Sequence, residues 1–261
     1  MSAKPRVAVH KFSSCDGCQL AFLNLGEPLL ELAELVDIVH FAEAGPLDPD
    51  AEVEVAFVEG SVATVEDLER VQAVRRQSRF LVTIGACATS GGLQALRNMA
   101  DAGAWFADIY PQAQDLESLD TSTPISAHIK VDLELWGCPV NGQQVVAATR
   151  DLLFGVTPGV DSEPVCMQCK RSGAVCVLVT RGEPCMGPVT RSGCGALCPR
   201  FGRDCYACYG PAEQVNDASL ARRFAGFGLT SAEIARRFAF INSAAPAYQQ
   251  AAARLEGAAD G

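Results

Sequence analysis

The placement of twelve cysteines constrains this 261-residue chain more than anything else in it. Four stand apart in ordinary globular sequence: Cys15 and Cys18 in KFSSCDGCQLAF, Cys87 after FLVTIGA, and Cys138 after VDLELWG. The other eight crowd into one window from Cys166 to Cys208. The opening MSAKPRVAVH has neither an apolar signal core nor a twin-arginine pair. The longest apolar runs, such as FLVTIGACA from Phe80, fall far short of the roughly 20 residues of a membrane helix. A cytoplasmic protein without a membrane segment is expected, and structural disulfides are rare in that compartment. Thiols in this number then point to metal ligands or catalysts.

With 49% hydrophobic and 20% charged residues the chain can bury a core, and its net charge of −10 argues against nucleic-acid binding. Residues 1–155 alternate strand-like and helix-like segments. Short, β-branched apolar runs predict strands at Arg6–His10, Val36–Phe41, Glu54–Glu59, Phe80–Gly85 and Lys130–Leu135. Helices are expected at Gln19–Leu35, interrupted near Gly26 and Pro28, and at Val65–Gln77, Gly92–Ala100 and Gly142–Phe154. Asn141 caps the last, with Gln144 in capping-box spacing. This alternation predicts an α/β fold with a doubly wound parallel sheet. Residues 156–261 differ. The linker-like GVTPGVDSEP leads into a cysteine-rich segment too poor in periodic apolar residues to hold a shape without cross-links or metals. A short helical tail follows, with Thr230 and Glu233 in capping-box spacing, and residues 255–261 are expected to fray.

In an open parallel sheet the carboxyl ends of the strands share one edge, where ligands bind. Three separate segments thus deliver Cys15, Cys18, Cys87 and Cys138 to one edge. Gly17, Gly85 and Gly137 lie beside them, where tight turns or close approach to a bulky ligand need glycine. A thioredoxin-like dithiol would explain Cys15 and Cys18 and leave the other two idle. Four thiolates suit a zinc ion and an iron–sulfur cubane equally, and the ligand count does not separate them. A chance pair of buried thiols is the plainest alternative.

Among the eight, Cys166 with Cys169 and Cys205 with Cys208 form outer C-x-x-C knuckles, while Cys176, Cys185, Cys194 and Cys198 are spread among glycines. Two zinc ribbons would pair their knuckles across one spacer. GCGALCPR instead carries the C-x-x-x-C-P ending of bacterial ferredoxins, whose last cysteine serves the other cluster. Interleaved ligand sets are therefore open. The window holds six basic residues (Lys170, Arg171, Arg181, Arg191, Arg200 and Arg203) against two acidic ones, Glu183 and Asp204. Such an excess would compensate thiolate-bound metal, whose ligands must be deprotonated. A solvated basic loop is the alternative.

Taken together, SSCDGCQLAFL, VAFVEGSV, TIGACATSGG, ELWGCPVNG and EPCMGPVTRSGCGALCP resemble the small, electron-transferring subunit of nickel–iron hydrogenases. The nearest likeness is to the delta subunit of soluble, sulfhydrogenase-type, NAD(P)-linked enzymes, over residues 5 to 210. The wider family includes the 20 kDa quinone-site subunit of respiratory complex I. That relative has adjacent cysteines in the first motif, where this chain has Asp16 and Gly17 between them.

The resemblance implies a flavodoxin-like domain whose Cys15, Cys18, Cys87 and Cys138 hold a proximal cluster. It implies an irregular second domain whose Cys166, Cys169, Cys176, Cys185, Cys194, Cys198, Cys205 and Cys208 hold a medial and a distal one, three 4Fe-4S clusters in all. Electrons would pass between a nickel–iron site in a large partner subunit and a flavin- and iron–sulfur-containing partner that reduces NAD(P)+. Neither a catalytic residue nor a nickel ligand is expected in this chain. Glu59 is expected near the proximal cluster, as a tuning group or as an ordinary strand-end carboxylate. Lys170, Arg171, Arg181 and Arg191 are candidates for raising cluster potentials. A zinc-stabilised interaction module and a quinone- or ferredoxin-linked relative are the rival functions. His10, His40 and His128 read as structural, Met167, Met186 and Trp136 as packing, and Tyr206 and Tyr209 as packing or cluster cover.

Overall fold

The computed structural model describes residues 3–257, and the chain divides into two compact units, Met1–Gly159 and Val160–Gly261. The first unit runs β1 (Arg6–Lys11), α1 (Gly17–Leu23), α2 (Glu27–Leu35), β2 (Asp37–Phe41), β3 (Val53–Glu59), α3 (Val65–Gln77), β4 (Ser78–Ile84) and α4 (Gly85–Ser90). A 3-10 stretch (Gly92–Met99), α5 (Ala102–Ile109), β5 (Leu133–Leu135) and α6 (Gly142–Leu153) follow. All five strands are parallel, in the order β2-β1-β3-β4-β5. This is the flavodoxin-like order, with its switch point between β1 and β3. Successive side chains on a strand face opposite ways. Ala8, Ala56, Val58 and Leu81 therefore pack with Val71 and Val74 of α3. Phe57, from the other face, meets Phe22 of α1, which stacks on Phe41. Each large apolar side chain buried this way contributes roughly 1.5–3 kcal/mol.

Local chemistry sets the boundaries. Gly26, at φ +66°, caps α2 and splits the long helix expected from Gln19 to Leu35. The α3 helix opens on a capping box of Thr64 and Asp67, whereas Asn141 accepts from the Gln143 N–H at 3.0 Å. The strand expected from Lys130 is only three residues long because a side chain replaces its first rung: the Asp132 carboxylate accepts the Leu81 N–H at 2.8 Å and pairs with Arg75. Residues 92–99 wind as 3-10 rather than α-helix.

In the second unit, α7 (Val165–Arg171), α8 (Val177–Thr180) and α9 (Leu197–Arg200) punctuate the cysteine-rich segment, and α10 (Asp217–Ala225), α11 (Ser231–Phe238) and α12 (Pro246–Gly257) form the tail. The Thr230–Glu233 capping box starts α11. Phe224, Ile234, Phe238 and Tyr248 are fully buried, and Phe238 and Tyr248 meet edge to face at 5.7 Å. The Tyr248 hydroxyl lies 3.0 Å from the Val189 carbonyl and 3.1 Å from that of Gly210, and Asn242 donates to the Ala207 carbonyl at 2.7 Å. The tail is thereby fastened to the segment that carries the cysteines. Residues 255–257, expected to fray, complete α12; 258–261 lie outside the described residues. Met186, Trp136 and Tyr209 are buried, while Met167 is exposed. Among the described residues no helix is long and apolar enough to cross a membrane.

His10 and His40 bury their rings against each other with centroids 4.7 Å apart, and His128 Nε2 lies 2.7 Å from Thr123 Oγ1. Burial, then the neighbouring His40 and Arg70, hold His10 down at about pKa 3. The unfolded chain takes up this proton below pH 6.5, while the folded one refuses it until about pH 3. The stabilisation is complete above pH 6.5 and is lost as pH falls through that window. Through His10 alone, unfolding free energy should drop by roughly 2 kcal/mol between pH 7.5 and pH 5. Urea titrations of wild type and His10→Phe check this, since the variant should fall by about that much less over the same pH range.

Candidate metal centres

Lys11 lies opposite Glu59, Glu59 opposite Ile84, and Ile84 opposite Leu135, so four strand ends share one row at the carboxyl edge of the sheet. The chain leaves this row four residues before Cys15, three before Cys87 and three before Cys138. Register alone thus gathers the first four cysteines.

Side chains fix the details. Asp16 takes a left-handed backbone, φ +65°, and its carboxylate accepts from Lys11 Nζ at 2.7 Å and Ser14 Oγ at 3.0 Å, bracing the turn between Cys15 and Cys18. Glu59, 2% exposed, accepts the backbone N–H of Cys18 at 3.0 Å and of Gln19 at 3.2 Å. It closes the first turn of α1 and holds Cys18 in place. Burial raises its own proton affinity. At Gly85, φ +87°, a Cβ would overlap the Cys18 sulfur. At Gly92 a Cβ would stand 2.7 Å from the Cys87 sulfur. Gly92 was not among the glycines that the sequence singled out; its signal is the doublet that closes TIGACATSGG.

Three of these thiols, Cys18, Cys87 and Cys138, resist ionisation. Cys18 is pushed far up by burial and then by Glu59, Cys87 and Cys138, against the Val140 N–H that reaches its sulfur at 3.4 Å. Cys87 rises to about 12 through burial, Cys138 and Cys15. Cys138 is raised by burial and by Cys15. Cys15, Cys87 and Cys138 thus each act on at least one other sulfur of the set. A thioredoxin-like dithiol would use Cys15 and Cys18 alone, whereas the strand ends bring Cys87 and Cys138 to the same edge and Cys18 senses both. A cationic centre among the sulfurs would reverse the penalty, because a coordinating thiol loses its proton.

The second unit sorts its eight cysteines by the same criterion. Cys166 is pushed up to about 11 by burial and then by Cys185, Cys176 and Cys169. Cys169 and Cys185, both raised first by burial, each also sense Cys176. Cys198 is raised by burial and Cys194, and Cys205 by burial and by Cys185 and Cys208. Cys166, Cys169, Cys176 and Cys185 are thus coupled, Cys194 couples to Cys198, and Cys205 links to both Cys208 and Cys185, donating its N–H to the Cys185 sulfur at 3.2 Å. Among the described residues no three His, Cys, Asp or Glu close around a single ion. Of the cations named from sequence, Lys170 acts on Cys166. Arg171 pairs with Glu163, and Arg181 with Glu183 and the Gly202 carbonyl. Arg191 donates to the Pro211 carbonyl, and Arg203, not among the candidates, acts on Cys198.

A flavodoxin-like sheet with a four-thiol edge, followed by a second thiol-rich unit, has the donor set of a protein that holds thiolate-ligated metal. The family model described as NADH ubiquinone oxidoreductase, 20 Kd subunit, matches residues 15–152, and the chain belongs to that family. It is 34% identical to the sulfhydrogenase 2 subunit delta of Pyrococcus furiosus, over 81% of this chain and 88% of the relative. It is 27% identical to a subunit of the F420-non-reducing hydrogenase of Methanococcus voltae, over 93% of this chain and 95% of the relative. A chain of a NAD+-reducing [NiFe]-hydrogenase crystal structure in the H2-reduced state superposes at a TM-score of 0.55 and 30% identity, using 60% of this chain and 94% of that one.

Glu59→Ala leaves two buried N–H donors without their charged acceptor, and a loss of about 2–3 kcal/mol in unfolding free energy is expected. Glu59→Gln, which keeps one oxygen acceptor, should lose less than half as much in the same denaturant titration. Equal losses in both would assign the effect to the carboxylate's charge.

Proposed function

We propose that this chain is the cytoplasmic electron-transfer subunit of a nickel–iron hydrogenase. It relays electrons between a nickel–iron site in a large partner subunit and a flavin- and iron–sulfur-containing partner that reduces NAD(P)+. The observation that carries this is the convergence of four thiols from three segments on one sheet edge, three of them raised by burial and by neighbouring sulfurs, beside glycines with no room for a side chain. The hydrogenase relatives support it over most of the chain, and the NAD+-linked likeness supports the acceptor over 60% of it.

In this proposal Cys15, Cys18, Cys87 and Cys138 hold one 4Fe-4S cluster. Cys166, Cys169, Cys176 and Cys185 hold a second, and Cys194, Cys198, Cys205 and Cys208 a third. The boundary between the one-cluster domain and the two-cluster domain falls in the linker GVTPGVDSEP. Bound clusters supply one-electron storage at potentials that ligation, hydrogen bonds to sulfur and burial set. The chain supplies those settings. Val140 and Cys205 donate backbone N–H groups to the sulfurs of Cys18 and Cys185. Lys170 and Arg203 place positive charge beside Cys166 and Cys198. Each favours the more negative, reduced state of its site.

Anaerobically purified protein should be brown and carry about twelve iron and twelve acid-labile sulfide per chain, as three cubanes require. A colourless zinc protein would overturn the proposal in favour of an interaction module. Cys138→Ser should lose about four of each, keep nickel in the partner, and abolish hydrogen-driven NAD(P)+ reduction. Reduction at the native rate would show the first ligand set to be wrongly assigned.

A further inference from the structure

The second unit leaves large apolar side chains in water directly over its cysteines. Phe201 is 77% exposed and Val179 70%, with Val175 and Leu197 also exposed. Val175 adjoins Cys176, itself exposed, and Leu197 and Phe201 lie four residues apart on either side of Cys198. Residues at that spacing share one helix face. Arg181 donates to the Gly202 carbonyl at 2.9 Å, which brings the Val179 segment against the Phe201 segment. Scattered exposed apolar residues need no explanation, but a contiguous group with a charged rim marks an interaction site.

The rim is basic in a chain of net charge −10. Arg203 reaches the Tyr206 hydroxyl at 3.4 Å, and Tyr206 lies under the Arg237 guanidinium. Tyr206 also lines an open cavity of about 450 Å³ together with Pro184, Leu229, Glu233, Arg236, Arg237 and Phe240, where Arg237 pairs with Asp204 at 2.6 Å and Arg236 adds further positive charge. Pro184 and Tyr206 are the immediate chain neighbours of Cys185 and Cys205. A hydrophobic centre, an arginine rim and an aromatic-lined socket form the anatomy of a protein interface. The rest of the chain repels an acidic partner, and this face attracts it.

We propose that this face seats an acidic, electron-carrying protein, so that electrons leave the chain beside Cys176 and Cys198. The proposal rests on the hydrogenase function given above and names where its second partner docks. Electron transfer falls steeply with distance, and on this face Cys176 is exposed while Cys198 is half-buried between exposed Leu197 and Phe201.

The test uses the native complex, purified anaerobically through a tag on this chain. In hydroxyl-radical footprinting at low salt Phe201 should be oxidised at least tenfold more slowly than after the salt wash that strips the acidic partner. Equal rates overturn the proposal. So does protection that survives the wash while only the nickel-bearing subunit remains, since the occupant is then the large subunit. Phe201→Asp and Arg236→Glu, introduced together, should cut hydrogen-driven NAD(P)+ reduction at least tenfold and leave hydrogen-driven methyl viologen reduction unchanged. If the variant drives both at native rates, the docking face is wrong and the hydrogenase function stands. If the wild-type complex drives neither, the function itself fails. If wild type reduces viologen alone, the NAD(P)+ assignment fails and the footprint decides the face.

Discussion

Four sulfurs gathered at one sheet edge, three of them made harder to ionise by burial and by neighbouring sulfurs, are the constraint on which the first unit turns. Neutral thiols buried side by side gain little beyond what small apolar groups would gain there. Thiolates in the same place are strongly unfavourable unless a cation shares the space. The elements around them serve to keep that arrangement in being. Strand register sets the row of departure points, the Glu59 carboxylate pins the start of α1, and Asp16 braces the turn between the first two sulfurs. Because ligand binding to such a site is coupled to folding, occupancy and stability of this edge are one quantity measured in two ways.

The second unit solves a different problem. Its cysteine-bearing segment has three helices of seven, four and four residues, and no apolar periodicity of its own. Order comes from outside the segment, through the tail. Tyr248 is wholly buried, packs edge to face on Phe238, and reaches two carbonyls of the segment with its hydroxyl. The tail is thus a structural wall of the cysteine-rich region, and its amphipathic helices exist to face it.

Much of this was legible in the sequence because the signals are periodic or positional. Parallel strands buried on both faces read as short apolar runs, and cysteines following three of those runs have one edge available to them. What escaped depends on side chains acting in three dimensions. Asp132 takes over a ladder position of β5 that its neighbours' composition assigned to backbone. Gly92 matters because of where the Cys87 sulfur lies, which no local pattern encodes. The ferredoxin-like C-x-x-x-C-P left interleaved ligand sets open, and in the folded chain Cys205 couples both to Cys208 and to Cys185. Arg171 and Arg181 carry the charge expected near the sulfurs but are held by Glu163 and Glu183, while Arg203 acts in their stead.

Gly85 has a consequence for how such a chain can change. Every single-base missense change of a glycine codon introduces a Cβ, and at this position any Cβ would overlap the Cys18 sulfur on a backbone that side chains rarely adopt. Position 85 therefore offers no conservative step. A lineage could relocate the sulfur or abandon the centre, but it could not drift through that residue by small increments.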